Sequence, residues 1–324
     1  MSVKQRMRDS FIEGVVASMR QNERIFFISA DFGAPALDQL RVEFPRRFLN
    51  CGIAEANMIN VATGLALEGY AVFAYAIAPF ITMRCYEQIR VNLALLSQIK
   101  PLNVNLVGVG AGYSYDVSGP SHQALEDISI MRTLPNVMVL SPADGVCARQ
   151  MAGLLSKTTG PKYVRLDGKA LPAIYDNEQA IVLQVGFTML RRGGKICLVS
   201  TGYMTHTALS VAARLSHDSI SVGVVDLYNL KSPDEDALYA ALQRYEQIVS
   251  LEEGFVGKGG MDSLLLNMLN RRSRTIRFES IGIKDQYIIQ VGKRETMLRL
   301  NQADEQSVAE RIKALLLRAA GPMP

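Results

Sequence analysis

RRFLNCGIAEANMIN, residues 46–60, sets an apolar, strand-like run, FLNCG, directly before a small-residue helix carrying Ala62, Gly64 and Ala66. Glu55 is the only charged residue between Arg47 and Glu68. A carboxylate is rarely buried unless it is paired or has chemistry to do, and a desolvated one can both give and take a proton. Two readings of Glu55 stay open on this stretch alone. It is either an acid favoured by the positive end of a helix dipole or a catalytic carboxyl.

Outward from this junction the strand-then-helix rhythm repeats. Apolar periodicity predicts helix 3–21, strand 25–31, helix 36–44, strand 48–52, helix 55–68 and strand 71–77. It continues with helix 80–99, strand 103–109, helix 123–133, strand 137–141, helix 144–157 and strand 162–166. Short apolar runs such as IFFISAD (25–31) suit buried strands of a parallel sheet, and their alternation with helices predicts an open α/β sheet covered on both faces. Ligands of such sheets sit at the carboxyl ends of the strands, where Asp31, Glu55 and the loop 110–122 fall. Residues 167–190, with Pro172, Asp176 and Asn177, break the rhythm and read as an extended linker with one or two short strands. A second alternation follows: strand 195–202, helix 204–215, strand 220–226, helix 234–244, strand 246–252, helix 260–271, strand 275–282 and a closing helix 303–319. The expected organisation is therefore a first domain over 1–170, a linker over 171–190 and a second domain over 191–324.

Composition supports this division. A chain of 324 residues that is 48% hydrophobic can bury two cores. Its 35 basic and 31 acidic residues form no basic block, and no tryptophan or interleaved aromatic patch suggests nucleic acid. Cys51, Cys85, Cys147 and Cys197 lie far apart, without CxxC or Cys/His ligand spacing. They read as reduced thiols of an intracellular protein, and no metal site is expected in this chain. MSVKQRMRDS lacks the apolar core of a signal peptide, and no run reaches the roughly 18 apolar residues of a membrane span. A cytoplasmic protein is the expectation.

Four features carry candidate chemistry. Glu55 is the first. In FAYAIAPFITMRCYEQIR (73–90) a strand gives way at Pro79 to a helix that begins with Phe80 and carries Arg84, Tyr86 and Arg90. An aromatic just past a strand end can stack on a planar ligand or simply pack in the core. GVGAGYSYDVSGPSHQALEDI (108–128) is a glycine-rich loop that delivers His122, one of only three histidines, ahead of Glu126 and Asp127. That histidine is an acid/base candidate or a loop-ordering donor. Arg165 ends the strand KYVRL and either binds an anion or pairs with a carboxylate.

Taken in order, GIAEANM, PF with RCYEQIR, GPSHQALEDI, MRTLPNVMVLSPAD and KYVRL resemble the pyrimidine-binding domain of transketolases. SLEEG with GKGG (250–260) is similar to their carboxyl-terminal domain. The resemblance covers essentially the whole chain, and it implies two open α/β domains: a mainly parallel-sheet pyrimidine-binding domain followed by a transketolase C-terminal-like domain. In that family the glutamate of the GIxE motif, here Glu55, hydrogen-bonds the aminopyrimidine of thiamine diphosphate and activates it. Phe80 matches the stacking aromatic, with Tyr75 as the alternative. His122 matches the histidine at the substrate oxygen, Asp31 the acidic residue near the cofactor, and Arg84 joins the cofactor side.

The GDG motif that holds Mg²⁺ and the diphosphate, followed some thirty residues later by asparagine in the family, does not occur in this sequence. The resemblance therefore implies a split, heteromeric transketolase. A separate amino-terminal subunit would carry GDG and asparagine, an α2β2 assembly would form, and this chain would be inactive alone. The reaction would transfer a two-carbon ketol unit from a ketose to an aldehyde. On the substrate side the family's aspartate position is Ser118, with Asp116 as a substitute, and the phosphate-binding histidine and serine positions fall at about Gly110 and Pro35. Arg165 remains as the phosphate ligand, so an acceptor other than the usual pentose and tetrose phosphates, or a phosphate held differently, is expected. The rivals are a 1-deoxyxylulose-5-phosphate synthase-like enzyme, a 2-oxoacid dehydrogenase β subunit and a non-catalytic scaffold.

Overall fold

A computed structural model describes residues 4–175 and 181–320, so Asp176 and Asn177 of the expected linker lie outside the described residues. The first sheet has β2 (Ile25–Ser29), β3 (Phe48–Asn50), β4 (Ala71–Ile77), β5 (Val104–Val109), β6 (Met138–Leu140) and β7 (Lys162–Leu166), after a two-residue β1 (Gln5–Arg6). Its order is β3-β2-β4-β5-β7-β6, and every pairing is parallel. All six strands therefore end on one edge. The chain steps outward from β2 to β3, then returns past β2 to β4, so the reversal that opens a ligand crevice lies beside β2.

The helices of this domain are α1 (Met7–Gln21), α2 (Pro35–Glu43), α3 (Glu55–Leu67), α4 (Tyr86–Gln88), α5 (Asp127–Thr133) and α6 (Gly145–Leu155). Alternating strand residues feed two cores between them and the sheet. Phe27, Phe73 and Val107 meet Phe11 of α1 and Met151 of α6 on one face. Ile28, Val72 and Ala74 meet Met58 and Ala62 of α3, with Ile89 and Leu93, on the other. The expected helix 80–99 is not uniform. Phe80–Arg84 and Ile89–Leu95 are π-helical turns around α4, and Leu96–Gln98 is a 3-10 turn. The Thr82 hydroxyl donates to Ala78 O at 2.7 Å and the Cys85 thiol to Ile81 O at 2.7 Å. These side chains contest the ladder at the widened turn. The helix expected from residue 123 starts at Asp127, because Pro120–His122 forms a separate 3-10 turn.

β8 (Ala170–Leu171) pairs antiparallel with β1, which ties the chain start to the end of the first domain. β9 (Phe187–Arg191) overlaps the end of the stretch expected as linker and belongs to the second sheet. With β10 (Ile196–Ser200), β11 (Gly223–Leu227), β12 (Gln247–Phe255) and β13 (Arg277–Ile283), that sheet runs β13-β12-β10-β11-β9, all parallel except the edge strand β9. Helices α7 (Tyr203–His217), α8 (Glu235–Leu242), α9 (Met261–Asn270), α10 (Arg294–Leu300) and α11 (Glu305–Ala320) complete it. α10 is an element the periodicity did not indicate. Cys197, Val225 and Leu265 of this unit join the α3 side of the first core, so the two sheets share buried apolar surface.

Candidate active site

Glu55 opens α3 just beyond β3, 5% exposed in spite of its charge. The turn before it is built by Asn50. Its Oδ1 accepts from Gly52 N at 2.9 Å and Asp31 N at 3.1 Å, while its Nδ2 donates to Asp31 Oδ1 at 2.8 Å. Gly52 and Asp31 both have positive φ, 71° and 50°, a conformation open to glycine and tolerated by Asp. Asn50 thus fixes the ends of β2 and β3 together and aims the chain into Glu55. Nothing in the sequence reading singled it out, although an Asn two residues before a Gly at a strand end is a side-chain turn signal.

Phe80 enters from the end of β4 and His122 from the loop after β5. Their rings meet edge to face, with centroids 5.2 Å apart. Arg84, one turn beyond Phe80, lays its guanidinium 3.9 Å from the Phe80 centroid and donates from Nη1 to Glu55 Oε1 at 3.0 Å. Glu55, Arg84, Phe80 and His122 therefore form one continuous group at the carboxyl edge of the sheet. Asp31 lies exposed on the same edge, held by Asn50. Tyr75, the alternative stacking aromatic, is fully buried against Phe27 and Phe32, and burial pushes its hydroxyl well above the ordinary tyrosine range.

Two expected substrate ligands, Arg165 and Asp116, are buried and bonded within the protein. Arg165 is 2% exposed. Its guanidinium donates to Asp127 Oδ2 at 2.7 Å, Ala124 O at 2.8 Å and Glu253 O at 2.7 Å. Burial alone would lower its pKa, but Asp127, with Tyr163 and Glu253, outweighs that and the net shift is upward. Nε and Nη2 of the expected phosphate ligand are thus engaged by partners inside the protein. Asp116 is also buried and accepts from Lys169 Nζ, Arg294 N and Val117 N. Its two oxygens thus take three hydrogen bonds from within the protein.

The second domain grips this loop. Arg294, 1% exposed, donates to both Glu253 oxygens at 2.8 and 2.6 Å, pairs with Asp167 at 2.6 Å and stacks 3.6 Å from the centroid of Tyr203. Glu252 accepts from Met261 N and Asp262 N at 2.9 and 2.8 Å, capping α9. Burial first, then Asp262, lifts its carboxyl to about 7. His206 bonds Ala143 O at 2.8 Å across the domains.

A buried carboxylate next to a partly buried aromatic ring fits the aminopyrimidine end of thiamine diphosphate. Among the described residues no group of three or more His, Cys, Asp or Glu side chains is arranged to hold a metal ion.

Residues 3–173 match the family model of the transketolase pyrimidine binding domain, and residues 187–308 match that of the transketolase C-terminal domain. With the cluster around Glu55, these define a thiamine-diphosphate-type transferase fold. The chain belongs to the transketolase family. It is 29% identical to one subunit of the apulose-4-phosphate transketolase of Actinobacillus succinogenes, over 96% of this chain and 98% of that one. It is 30% identical to a putative transketolase C-terminal section of Methanocaldococcus jannaschii, over 94% and 95% of the two chains. A solved structure described as a split gene transketolase, inactive beta4 tetramer, superposes with a TM-score of 0.83 at 28% identity, over 97% of this chain and 98% of that one.

Proposed function

We propose that this chain is the carboxyl-terminal subunit of a heteromeric, thiamine-diphosphate-dependent transketolase that moves a two-carbon ketol unit from a ketose to an aldehyde. The carrying observation is the convergence of Glu55, Phe80 and His122 at one sheet edge. When bound, the cofactor supplies the carbanion chemistry, and the protein supplies orientation and protons. Glu55 hydrogen-bonds the aminopyrimidine and exchanges a proton with it, Phe80 supports the ring, and His122 faces the substrate oxygen. Asp31 lines the cofactor side of the edge.

The diphosphate and Mg²⁺ belong to a separate subunit with GDG and asparagine, in an α2β2 assembly. The whole-length match to a chain that is itself named as one subunit of a transketolase supports that division. The name of that relative carries apulose-4-phosphate, which supports a sugar phosphate other than the usual transketolase substrates. The cytoplasm is the proposed location, supported by four free cysteines.

The test is reconstitution with the product of a neighbouring GDG-bearing reading frame, followed by a ketol-transfer assay. Glu55→Gln should abolish turnover and leave co-purification intact. Unchanged turnover would replace the reading by the scaffold one, and release of carbon dioxide with pyruvate as donor would favour the synthase.

A further inference from the structure

Arg84 occupies the place that the proposed function gives to the cofactor's pyrimidine. Its guanidinium is planar, lies 3.9 Å from the centroid of Phe80, and points an in-plane N–H at Glu55 Oε1 at 3.0 Å. A pyrimidine ring supported by Phe80 and hydrogen-bonded to Glu55 would need the same ring face and the same carboxylate. The arginine is well suited to leave. Its side chain is 49% exposed while that of Glu55 is 6% exposed, and it stands on a π-helical turn rather than on the regular part of a helix. Among the described residues no other cation forms an ion pair with Glu55.

We infer that Arg84 is a built-in place-holder. In the cofactor-free chain it satisfies the buried Glu55 carboxylate and shields the Phe80 face, and it must swing into solvent before the aminopyrimidine can enter. The inference rests on the proposed roles of Glu55 and Phe80 and adds a competing state to them. A ligand that requires the minor, open state binds with its affinity reduced by the fraction of open protein. Removing the place-holder therefore strengthens binding, the opposite of what removing a ligand contact does. The arginine also answers a stability need, because a buried carboxylate without a partner is costly.

The experiment uses the full-length chain with thiamine, which carries the aminopyrimidine without the diphosphate. Binding is followed by ligand-observed NMR for the wild-type chain and for Arg84→Gln, Arg84→Lys and Glu55→Gln. Arg84→Gln should bind thiamine about fivefold more tightly, the scale of a half-exposed ion pair, and should melt at a lower temperature than wild type without ligand. Arg84→Lys, which keeps the charge but not the planar fork, should fall between them. In the wild-type chain the Arg84 Nε–H resonance, displaced by the Phe80 ring current, should move to its solvent position as thiamine saturates. Weaker or unchanged binding by Arg84→Gln, or an Arg84 resonance that does not move, would overturn the place-holder. Glu55→Gln that binds thiamine as the wild type does, including no binding by either, would instead overturn the reading of Glu55 as the pyrimidine's partner.

Discussion

Arg294 donates two hydrogen bonds, at 2.8 and 2.6 Å, to the two carboxylate oxygens of Glu253, and both side chains are almost wholly inside the protein. Burial would lower the arginine's pKa, but Asp167 and Glu253 outweigh it and raise the net value, so the guanidinium stays charged. Breaking such a pair leaves one charge uncompensated. Arg294→Met should cost about 3–5 kcal/mol of unfolding free energy in urea denaturation. Adding Glu253→Leu should recover part of that loss, because the two substitutions share one partner set.

Arg165 makes a separate prediction about specificity. Arg165→Met should lower stability on the same scale, about 3–5 kcal/mol, by stranding Asp127, which also accepts from the Tyr163 hydroxyl at 2.7 Å. In steady-state assays of the folded fraction, KM for phosphorylated and unphosphorylated acceptors should shift together. A selective loss of affinity for the phosphorylated acceptor would restore Arg165 as an anion ligand.

Asp226 gives the pH dependence. It is fully buried, accepts from Tyr175 Oη at 2.6 Å and Thr205 Oγ1 at 2.9 Å, and has its carboxyl lifted to about 7, first by burial. A folded-state value above the unfolded one means that the native protein holds the extra proton. The resulting stability is full below about pH 4, declines as pH rises and is lost above about 7. Glu252, at about 7, acts in the same window. Unfolding free energy measured from pH 5 to pH 8 should fall, and Asp226→Asn should flatten that slope.

Asn50 holds the turn that presents Glu55 and Asp31. Asn50→Ala removes its three hydrogen bonds, each worth about 1 kcal/mol net. The thiamine diphosphate concentration for half-maximal activity of the reconstituted enzyme should rise by about tenfold, with a smaller change in kcat at saturation.

Local patterns carried much of the fold. The apolar runs of β4 and β7 end where the periodicity placed them, because buried parallel strands announce themselves by composition. Edge and short elements were less visible. β9 is half-buried and antiparallel, and α10 is a short helix of mixed charged and apolar residues, so neither has a strong period. That Glu55, Phe80 and His122 would lie together was legible from motif order. The partners of Arg165 and Asp116 were not, because Glu253 lies 88 residues from Arg165 and Arg294 lies 178 from Asp116. A sequence shows which side chains are charged; only the packing shows which charges are already spent.

Gly112, with φ +54°, lies so close to Glu253 that a methyl group on its Cα would sit 2.1 Å from Glu253 Oε2, and Arg294 clasps that same glutamate while its backbone N–H bonds Asp116. The loop that delivers His122 is thus moulded by residues that come much later in the chain. A recombination breakpoint between residues 173 and 187, where the two family models part, would separate a mould from its cast. Chimeras joining one relative's first domain to another's second should succeed only when Gly112, Asp116, Glu253 and Arg294 travel together, because the loop and its mould fit as a set even though each domain has its own sheet.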